Sequence, residues 1–414
     1  QVIRDVLDEL RRLLDAGHAG AVIDLAEHFL RKFEEQMQSM GDSDGFAGGI
    51  LEELQEMHHS ACMKAQPDPE QLAERLFQWS LGSDWGVFSG VVDQYTDVFG
   101  ERGLERYRAL AQAEWAGVPP LRPGLRAQGY SGKRSRITSI MERLAERTGD
   151  VEQLVAVKSR DLSSEYEYLD IVEAYRKAGK NTLAIEWAEK GMQAFPQGAD
   201  SGLREFLADA YHRLKRHSDA MNIIWVEFSD HPRLHEFKLL RSHAFRAGGA
   251  GAWKRWRGKA LTTLREHLEM TAREAPKHAW TSYRPDFSDL VSIHLWERKH
   301  TLAWKTAQEG GCNDSLWLEL AKKREVGHPG DALAVYRRLV EPSLARKNNQ
   351  AYEEAIELIV KIRGILRRLG RTEEWETYLR ELYADHRRLR NFVTMLDGLD
   401  EQTPGSGRTS RGAR

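Results

Sequence analysis

Apolar residues recur every three or four positions along most of the chain, and this spacing is that of amphipathic helices rather than strands. In residues 2–14 the apolar side chains fall on one helical face, and the same spacing resumes in residues 22–30. Gly17 and Gly20 interrupt the pattern and predict a turn. The chain is therefore predicted to begin with two successive helices.

A repeat stands in the middle of the chain. Three positions recur 36 residues apart, namely Tyr175 and Tyr211, Ala184 and Ala220, and Pro196 and Pro232. Gly179 and Lys215 occupy equivalent places between the two helices of each copy. A helix, a tight turn, a second helix and a terminating proline with this period are typical of tetratricopeptide repeats, so residues 165–196 and 201–232 are predicted to be two such units.

Weaker copies extend the repeat toward the C-terminus. Phe287 and Leu290 take the large positions of one copy, and Leu316 and Leu320 take those of the next. One position stays small in every copy, as Ala184, Ala220, Ala303 and Ala332. We expect the two helices of each copy to cross closely there, because a larger side chain would push them apart.

Breaks in the helical pattern predict four parts. Residues 1–117 form an N-terminal helical unit, and residues 118–135, rich in Pro and Gly, form a linker or a long loop. Residues 136–399 form a tetratricopeptide-like array, and residues 400–414 form a disordered tail because they carry almost nothing apolar to bury. The predicted fold class is all-α, an α-solenoid of antiparallel helix hairpins (a tetratricopeptide-like superhelix) with an N-terminal helical unit.

Composition narrows the function classes. The chain has 61 basic and 63 acidic residues among 414, so no global field attracts nucleic acid or an anionic membrane. No apolar run reaches the roughly 20 residues of a membrane-spanning helix, and we predict a cytoplasmic protein without a membrane partner. Cys62 and Cys312 are the only cysteines, which argues against a disulfide framework. Because the chain starts at Gln1, we expect residues to precede it.

Three segments resemble parts of known sites. His58 and Cys62 lie four apart on one helix face and could share a metal, but two ligands do not make a site, and a structural role is favoured. Residues 42–45 resemble part of a calcium loop, but the register fails and helix capping is favoured. Gly132 and Lys133 resemble the end of a phosphate-binding loop that lacks its Ser or Thr. We predict no cofactor, no metal and no catalytic residue, so the chain is not expected to be an enzyme.

Two sets of residues are candidates for binding. The first lies on the first helices of the repeats, off the apolar spacing, and is predicted to contact a protein or peptide: Tyr166, Glu167, Asp170, Glu173 and Arg204. The second is basic and is a candidate for nucleic-acid contact: Arg387, Arg388 and Arg390. A further basic cluster, residues 254–259, surrounds Trp253 and Trp256, which are predicted to fill space between repeats.

The order of several short segments resembles the C-terminal helical region of bacterial SWIM zinc-finger proteins. The matching segments, spread over most of residues 1–399, are Asp42-Ser-Asp-Gly45, His58-x-x-Ala61-Cys62, Pro67-Asp-Pro69, Leu72-Ala-Glu-Arg-Leu76, Ile137-Thr-Ser-Ile-Met-Glu-Arg-Leu144, Arg160-Asp-Leu162, Trp187-Ala-Glu189, Phe206-Leu-Ala-Asp209, Gly311-Cys312, Trp317-Leu318, His328-Pro329 and Asn391-Phe392. The zinc module of that family, Cys-x-Cys followed by Cys-x-His, has no counterpart here. The resemblance implies that such a module preceded Gln1 or that this member lacks it.

The sequence therefore favours a non-enzymatic helical-repeat scaffold that binds a protein or peptide. The alternative is a nucleic-acid-associated protein whose repeats support a zinc-finger module missing from this chain. An enzyme with a site assembled from scattered polar residues is the least favoured reading, because no motif supports it.

Overall fold

The structure is a computed structural model that describes residues 2–37, 46–125, 132–196, 198, 200–274 and 286–401. It divides into two compact units, Gln1–Arg213 and Leu214–Arg414. Within the described ranges the secondary structure is helical apart from one isolated β-bridge between Leu121 and Asp161. No helix in these ranges is long and apolar enough to cross a membrane. The predicted fold class is confirmed: the protein is an all-α chain of tetratricopeptide-like helix hairpins.

The first unit contains eleven helices within its described residues. Their bounds are α1 Val2–Asp15, α2 Ala19–Met37, α3 Phe46–Ala65, α4 Pro69–Gly82, α5 Val91–Gln94, α6 Thr96–Ala116, α7 Gly132–Thr148, α8 Val151–Lys158, α9 Glu165–Lys177, α10 Asn181–Ala194 and α11 Ser201–Arg213. The main packed pairs are α2 with α3, α4 with α6, α7 with α8, and α9 with α10. The predicted pair at the start of the chain is confirmed as α1 and α2.

The second unit continues the same architecture. Its described helices are α12 His217–Asp230, α13 Leu234–Glu274, α14 Ser288–Trp296, α15 His300–Gly310, α16 Asp314–Arg324, α17 Pro329–Ala345, α18 Asn349–Arg368, α19 Thr372–His386 and α20 Arg390–Glu401. Gly249 has a φ of 62° and divides α13 into two helical segments. The main packed pairs are α12 with α13, α14 with α15, α16 with α17, and α17 with α18.

Several turns between successive helices share one local structure. A residue with positive φ follows the first helix, and the next backbone N–H donates to the carbonyl five residues earlier, which satisfies a carbonyl left open by the helix end. Gly179 has a φ of 73°, and Lys180 N donates to Tyr175 O at 2.9 Å. Arg298 has a φ of 60°, and Lys299 N donates to His294 O at 2.8 Å. The turn predicted at Gly179 is thereby confirmed.

Close helix crossings depend on small residues, as the sequence predicted. The four repeat alanines are each fully buried: Ala184, Ala220, Ala303 and Ala332. Seven residues after two of them stand glycines with no room for a side chain. A Cβ added at Gly191 would lie 2.9 Å from Tyr168 Cβ, and one added at Gly310 would lie 2.2 Å from the Phe287 ring. The approach of α15 to Phe287 therefore requires glycine.

The tyrosine of the repeat makes the same contact in both clear copies. Tyr175 donates its hydroxyl to Glu152 of α8 at 2.8 Å, and Tyr211 donates to Glu189 of α10 at 2.6 Å. In each copy the phenol is buried and its oxygen reaches a carboxylate on the preceding helix. A buried hydroxyl needs such a partner, so the contact explains why tyrosine rather than phenylalanine recurs.

The described part of the segment predicted as a linker or a long loop, residues 118–135, has local structure at both ends. Helix α7 begins at Gly132, inside the predicted linker 118–135, and Val118 is buried. Leu121 N donates to Arg160 O at 2.8 Å, so the described start of this segment is packed rather than extended as a linker. Residues 126–131 lie outside the described ranges. The domain division drawn from the sequence otherwise stays a prediction, and of its tail, residues 402–414 also lie outside these ranges.

Tryptophan rings in the second unit pack against other aromatic rings, as predicted. Trp225 and Trp256 have ring centroids 5.4 Å apart, and Trp304 and Trp317 meet edge to face at 5.4 Å. Lys259 holds its ammonium nitrogen 3.7 Å from the centroid of the Trp225 ring. These rings pack between helices. Lys259 of the basic cluster 254–259 makes a cation–π contact with one of them.

We expect Gly310→Ala to lower the stability of the protein by about 1–3 kcal/mol, because the added methyl group overlaps the Phe287 ring. Gly364→Ala is the matched control, since Gly364 is exposed within α18 and nothing lies within 4 Å of an added Cβ. That substitution should stabilise by about 0.5–1 kcal/mol through helix propensity. Thermal unfolding measures both, and equal effects of the two substitutions would contradict the close crossing.

Candidate partner-binding surface

An acidic surface lies where α7, α8 and α9 meet. A cavity of about 380 Å³ opens there, and Asp170 and Glu173 of α9, both predicted as partner-binding residues, line it together with Glu146 and Asp150. The two cationic side chains of the lining are Lys158 and Lys177. Carboxylates therefore outnumber cations in this cavity. We call it the α7–α9 cavity.

Ion pairs compensate some of these carboxylates. Lys158 places its Nζ 2.9 Å from Glu142 Oε1 and 3.3 Å from Asp170 Oδ2. Burial alone would lower the pKa of Lys158, but the hydrogen bond and charge of Glu142, with the charge of Asp170, raise it above its ordinary value. Arg176 contacts Glu173 at 2.6 Å on the exposed side of α9.

The other two carboxylates of the cavity have no such partner. Within the described part of the chain, no cationic side chain forms an ion pair with Glu146 or Asp150. Asp150 instead caps α8 by accepting from the Glu152 backbone N–H at 2.9 Å. A cap orients the carboxylate but does not neutralise it, so the cavity keeps an excess of negative charge.

Glu167 shows how crowded the acidic groups next to this cavity are. Burial raises the pKa of Glu167 to about 7, and the charges of Asp161 and Asp170 add to the rise, while Lys158 offsets part of it. The side chain is half-buried one turn before Asp170 on α9. An additional cation near this position would favour the ionised carboxylate.

Two other predicted partner-binding residues, Tyr166 and Arg204, do not line the cavity. Tyr166 is 60% exposed at the start of α9, so it is accessible next to the acidic surface. Arg204 is 2% exposed, because its position on α11 faces inward with Leu203 and Leu207. The criterion of lying off the apolar spacing therefore misplaced Arg204, and this residue does not belong to the accessible surface.

Sequence reasoning missed Glu146 and Asp150 as well as Glu142. They lie on α7 or just after its end, in the helix pair that precedes the first clear repeat, residues 165–196. The Gly149-Asp150 pair did carry a signal, because it marks a helix end followed by a helix cap. What the sequence lacked was the packing that places α7 and α8 beside α9.

The candidate metal pair His58 and Cys62 is part of a buried polar cluster. Both side chains are fully buried, and the His58 Nδ1 lies 2.8 Å from the Tyr95 hydroxyl while its Nε2 lies 3.3 Å from Glu27 Oε1. Burial, with the charge of Glu27, raises the pKa of the Cys62 thiol to about 12. In the described ranges no group of three or more His, Cys, Asp or Glu side chains could hold a metal ion. The calcium-like segment 42–45 lies outside them.

The basic candidates lie in the second unit. Arg387, Arg388 and Arg390 are all exposed at the junction of α19 and α20. In the other basic cluster, Arg257 forms a bidentate pair with Glu297, with its Nε 2.5 Å and one terminal nitrogen 2.6 Å from the carboxylate oxygens. The α19–α20 junction thus offers the more accessible guanidinium groups.

Comparison with known proteins gave a family and several solved structures, including the following three. The model of a family of unknown function, DUF6880, matches residues 18–246. The human IFIT1 dimer with PPP-AAAA aligns at 12% identity over 97% of this chain and 95% of that chain, with a TM-score of 0.28. Yeast Tom70 aligns at 12% identity over 97% and 96%, with a TM-score of 0.24. A circular tandem repeat protein aligns at 15% identity over 97% and 88%, with a TM-score of 0.17. No curated protein sequence matches the chain.

Glu167→Gln should raise the thermal unfolding temperature at about pH 8, because it removes the cost of burying an ionised carboxylate beside other acidic groups; the expected rise is roughly 2–4 °C for each kcal/mol of that cost. Because the folded state binds the Glu167 proton more tightly than the unfolded state, this group's contribution to stability falls as pH rises from its ordinary value toward 7. The gain should therefore vanish near pH 5. Glu205→Gln, at an exposed position on α11, is the control and should show no such pH dependence.

Proposed function

The chain belongs to the family of unknown function DUF6880, and we propose that it is a non-enzymatic helical-repeat scaffold that binds a protein or peptide partner. The α7–α9 cavity is the proposed contact, and the partner is a segment rich in lysine and arginine. The residues that we assign to it are Tyr166, Glu146, Asp150, Asp170 and Glu173.

One observation carries this proposal, namely the uncompensated negative charge at a cavity bounded by three helices. Glu146 and Asp150 line it without a cationic partner in the described residues. Of the two lining cations, Lys158 is already shared by Glu142 and Asp170, so four lining carboxylates face only one further cation, Lys177. A basic segment would supply the missing charge and form charge-assisted hydrogen bonds with the carboxylates. Exposed Tyr166 adds an aromatic side chain of the kind enriched at interfaces.

Binding of a fluorescent, lysine- and arginine-rich peptide to the full chain tests the proposal. We expect the peptide to bind with an affinity that falls as salt rises, since charge drives the contact. The triple variant Glu146→Gln, Asp170→Asn, Glu173→Gln should weaken binding by about tenfold or more, which corresponds to loss of about 1.4 kcal/mol or more. Fluorescence anisotropy provides the measurement.

The matched control removes the same charge elsewhere. Glu52, Glu101 and Glu105 are exposed on α3 and α6, and none of them lines the cavity. Their triple substitution by Gln should leave the affinity unchanged. Equal loss in both triple variants would show that only the net charge of the protein matters, and the proposed surface would then be wrong.

A second candidate function, contact with nucleic acid, is favoured by the exposure of all three arginines at the α19–α20 junction. In this proposal the helical repeats support a separate zinc-finger module, as the resemblance to SWIM proteins implies. Guanidinium groups on an exposed helix junction suit phosphate contacts, which are strongly salt-dependent. The basic surface would then act without any base-specific contact.

For this second candidate, a mobility-shift titration with duplex DNA should give salt-dependent binding that Arg387→Ala, Arg388→Ala, Arg390→Ala abolishes. Lys305, Lys322 and Lys323 are exposed on α15 and α16, and their triple substitution by Ala is the control. The absence of any shift at low salt, or equal losses in the two variants, would count against nucleic-acid contact at this junction.

A further inference from the structure

A second groove of the first unit lies between α2 and α4. Its volume is about 670 Å³, and five carboxylates and two guanidinium groups line it. Two tryptophans, Trp79 of α4 and Trp85 just after it, contribute aromatic surface, and Trp85 is 37% exposed. We call it the α2–α4 groove. It shares no lining residue with the α7–α9 cavity.

Four of its five carboxylates already have a cationic partner. Glu27 pairs with Arg75, Glu35 with Lys32, Glu74 with Arg106, and Asp84 with Arg136. Glu34 differs from them. No cationic side chain forms an ion pair with it within the described residues. It is therefore the carboxylate of this groove that forms no ion pair in the described part of the chain.

Neutral donors hold Glu34 in place. The Trp79 Nε1–H donates to Glu34 Oε2 at 2.7 Å, and the Ser83 hydroxyl donates to the other oxygen, Oε1. Ser83 is itself buried, and its oxygen accepts the Val87 backbone N–H at 2.9 Å. The carboxylate is thus oriented by a fixed set of hydrogen bonds that brings no positive charge. Such an arrangement is preorganised for a cation that comes from outside the groove.

The aromatic rings of the groove favour a guanidinium group as the cation. Arg31 already lies against an aromatic face here, with its guanidinium carbon 5.2 Å from the Trp79 ring centroid. The exposed ring of Trp85 offers a second aromatic face in the same lining. A guanidinium group is planar, stacks on aromatic rings and pairs with a carboxylate through two parallel N–H bonds. The ammonium group of lysine has the same positive charge, but it lacks the planar shape and the two parallel N–H donors.

We propose that the α2–α4 groove binds an arginine side chain of a partner protein, with the guanidinium group on Glu34 and against Trp85. The volume exceeds that of one side chain, so flanking residues of the partner segment also enter the groove. The proposal does not rest on the basic segment assigned to the α7–α9 cavity. It concerns different residues and is tested with different variants.

The test uses the full chain and three short peptides that differ at one position, which holds arginine, lysine or citrulline. Citrulline keeps the shape of arginine but has no charge. Titration is followed by the indole N–H signals of Trp79 and Trp85 in NMR spectra, assigned with Trp79→Phe and Trp85→Phe. The arginine peptide should shift both signals saturably, the lysine peptide should bind more weakly, and the citrulline peptide should not bind.

Glu34→Gln should weaken binding of the arginine peptide by about tenfold, the effect expected for losing a charge-assisted pair. Glutamine can still accept from Trp79 with its carbonyl oxygen, and its amide NH2 can donate to the Ser83 oxygen, so the groove keeps its shape. Trp85→Ala is the second variant, and it removes the aromatic face while leaving Glu34 and its donors intact. Glu101→Gln, exposed on α6, is the control and should bind as the parent does.

Three results would overturn the proposal: shifts with citrulline equal to those with arginine, equal binding of lysine and arginine, or unchanged affinity in Glu34→Gln. The variant Glu146→Gln, Asp170→Asn, Glu173→Gln keeps the α2–α4 groove intact and should bind the arginine peptide normally. If the protein binds only one of the two peptides, the basic peptide or the arginine peptide, the result therefore shows which of the two proposed surfaces is wrong.

Discussion

Close contact between paired helices is the constraint on which the rest of this structure depends. The four repeat positions predicted to lie at helix crossings hold fully buried small residues, such as Ala184 and Ala303. Where the approach is closest even a methyl group is excluded, as at Gly310 against Phe287. The turn that reverses the chain has a positive-φ residue, which directs the second helix back along the first. Once these two features are set, the facing side chains of each pair follow from helical geometry.

Helix packing also determines which polar side chains are buried and which groups they contact. The repeat tyrosines are buried by the packing, and their hydroxyls reach Glu152 and Glu189 on the preceding helices. The acidic residues of α9 meet those of α7 because these helices lie on either side of α8. Burial, together with the charges of Asp161 and Asp170, raises the pKa of Glu167 to about 7. Helix packing thus concentrates charge that the sequence as a whole, nearly neutral, does not have.

The two acidic sites of the first unit differ in how their carboxylates are paired with cations. In the α7–α9 cavity one half-buried lysine, Lys158, is shared between Glu142 and Asp170. In the α2–α4 groove most carboxylates have their own cation, and Glu34 is held by neutral donors instead. A shared cation leaves a diffuse excess of negative charge suited to a basic segment. A single oriented carboxylate beside aromatic rings suits one planar cation.

The sequence by itself determined the helices, the hairpins of the repeat and the small residues at their crossings, because helical periodicity and turn chemistry are local properties. It also singled out Asp170 and Glu173, which line the α7–α9 cavity, since residues off the apolar face of an amphipathic helix tend to be accessible. It failed for Arg204, which is buried, and for Glu34 and Glu146, whose importance depends on which helices stand beside them. Burial and charge compensation arise from contacts between residues distant in sequence, and only the tertiary structure decides those.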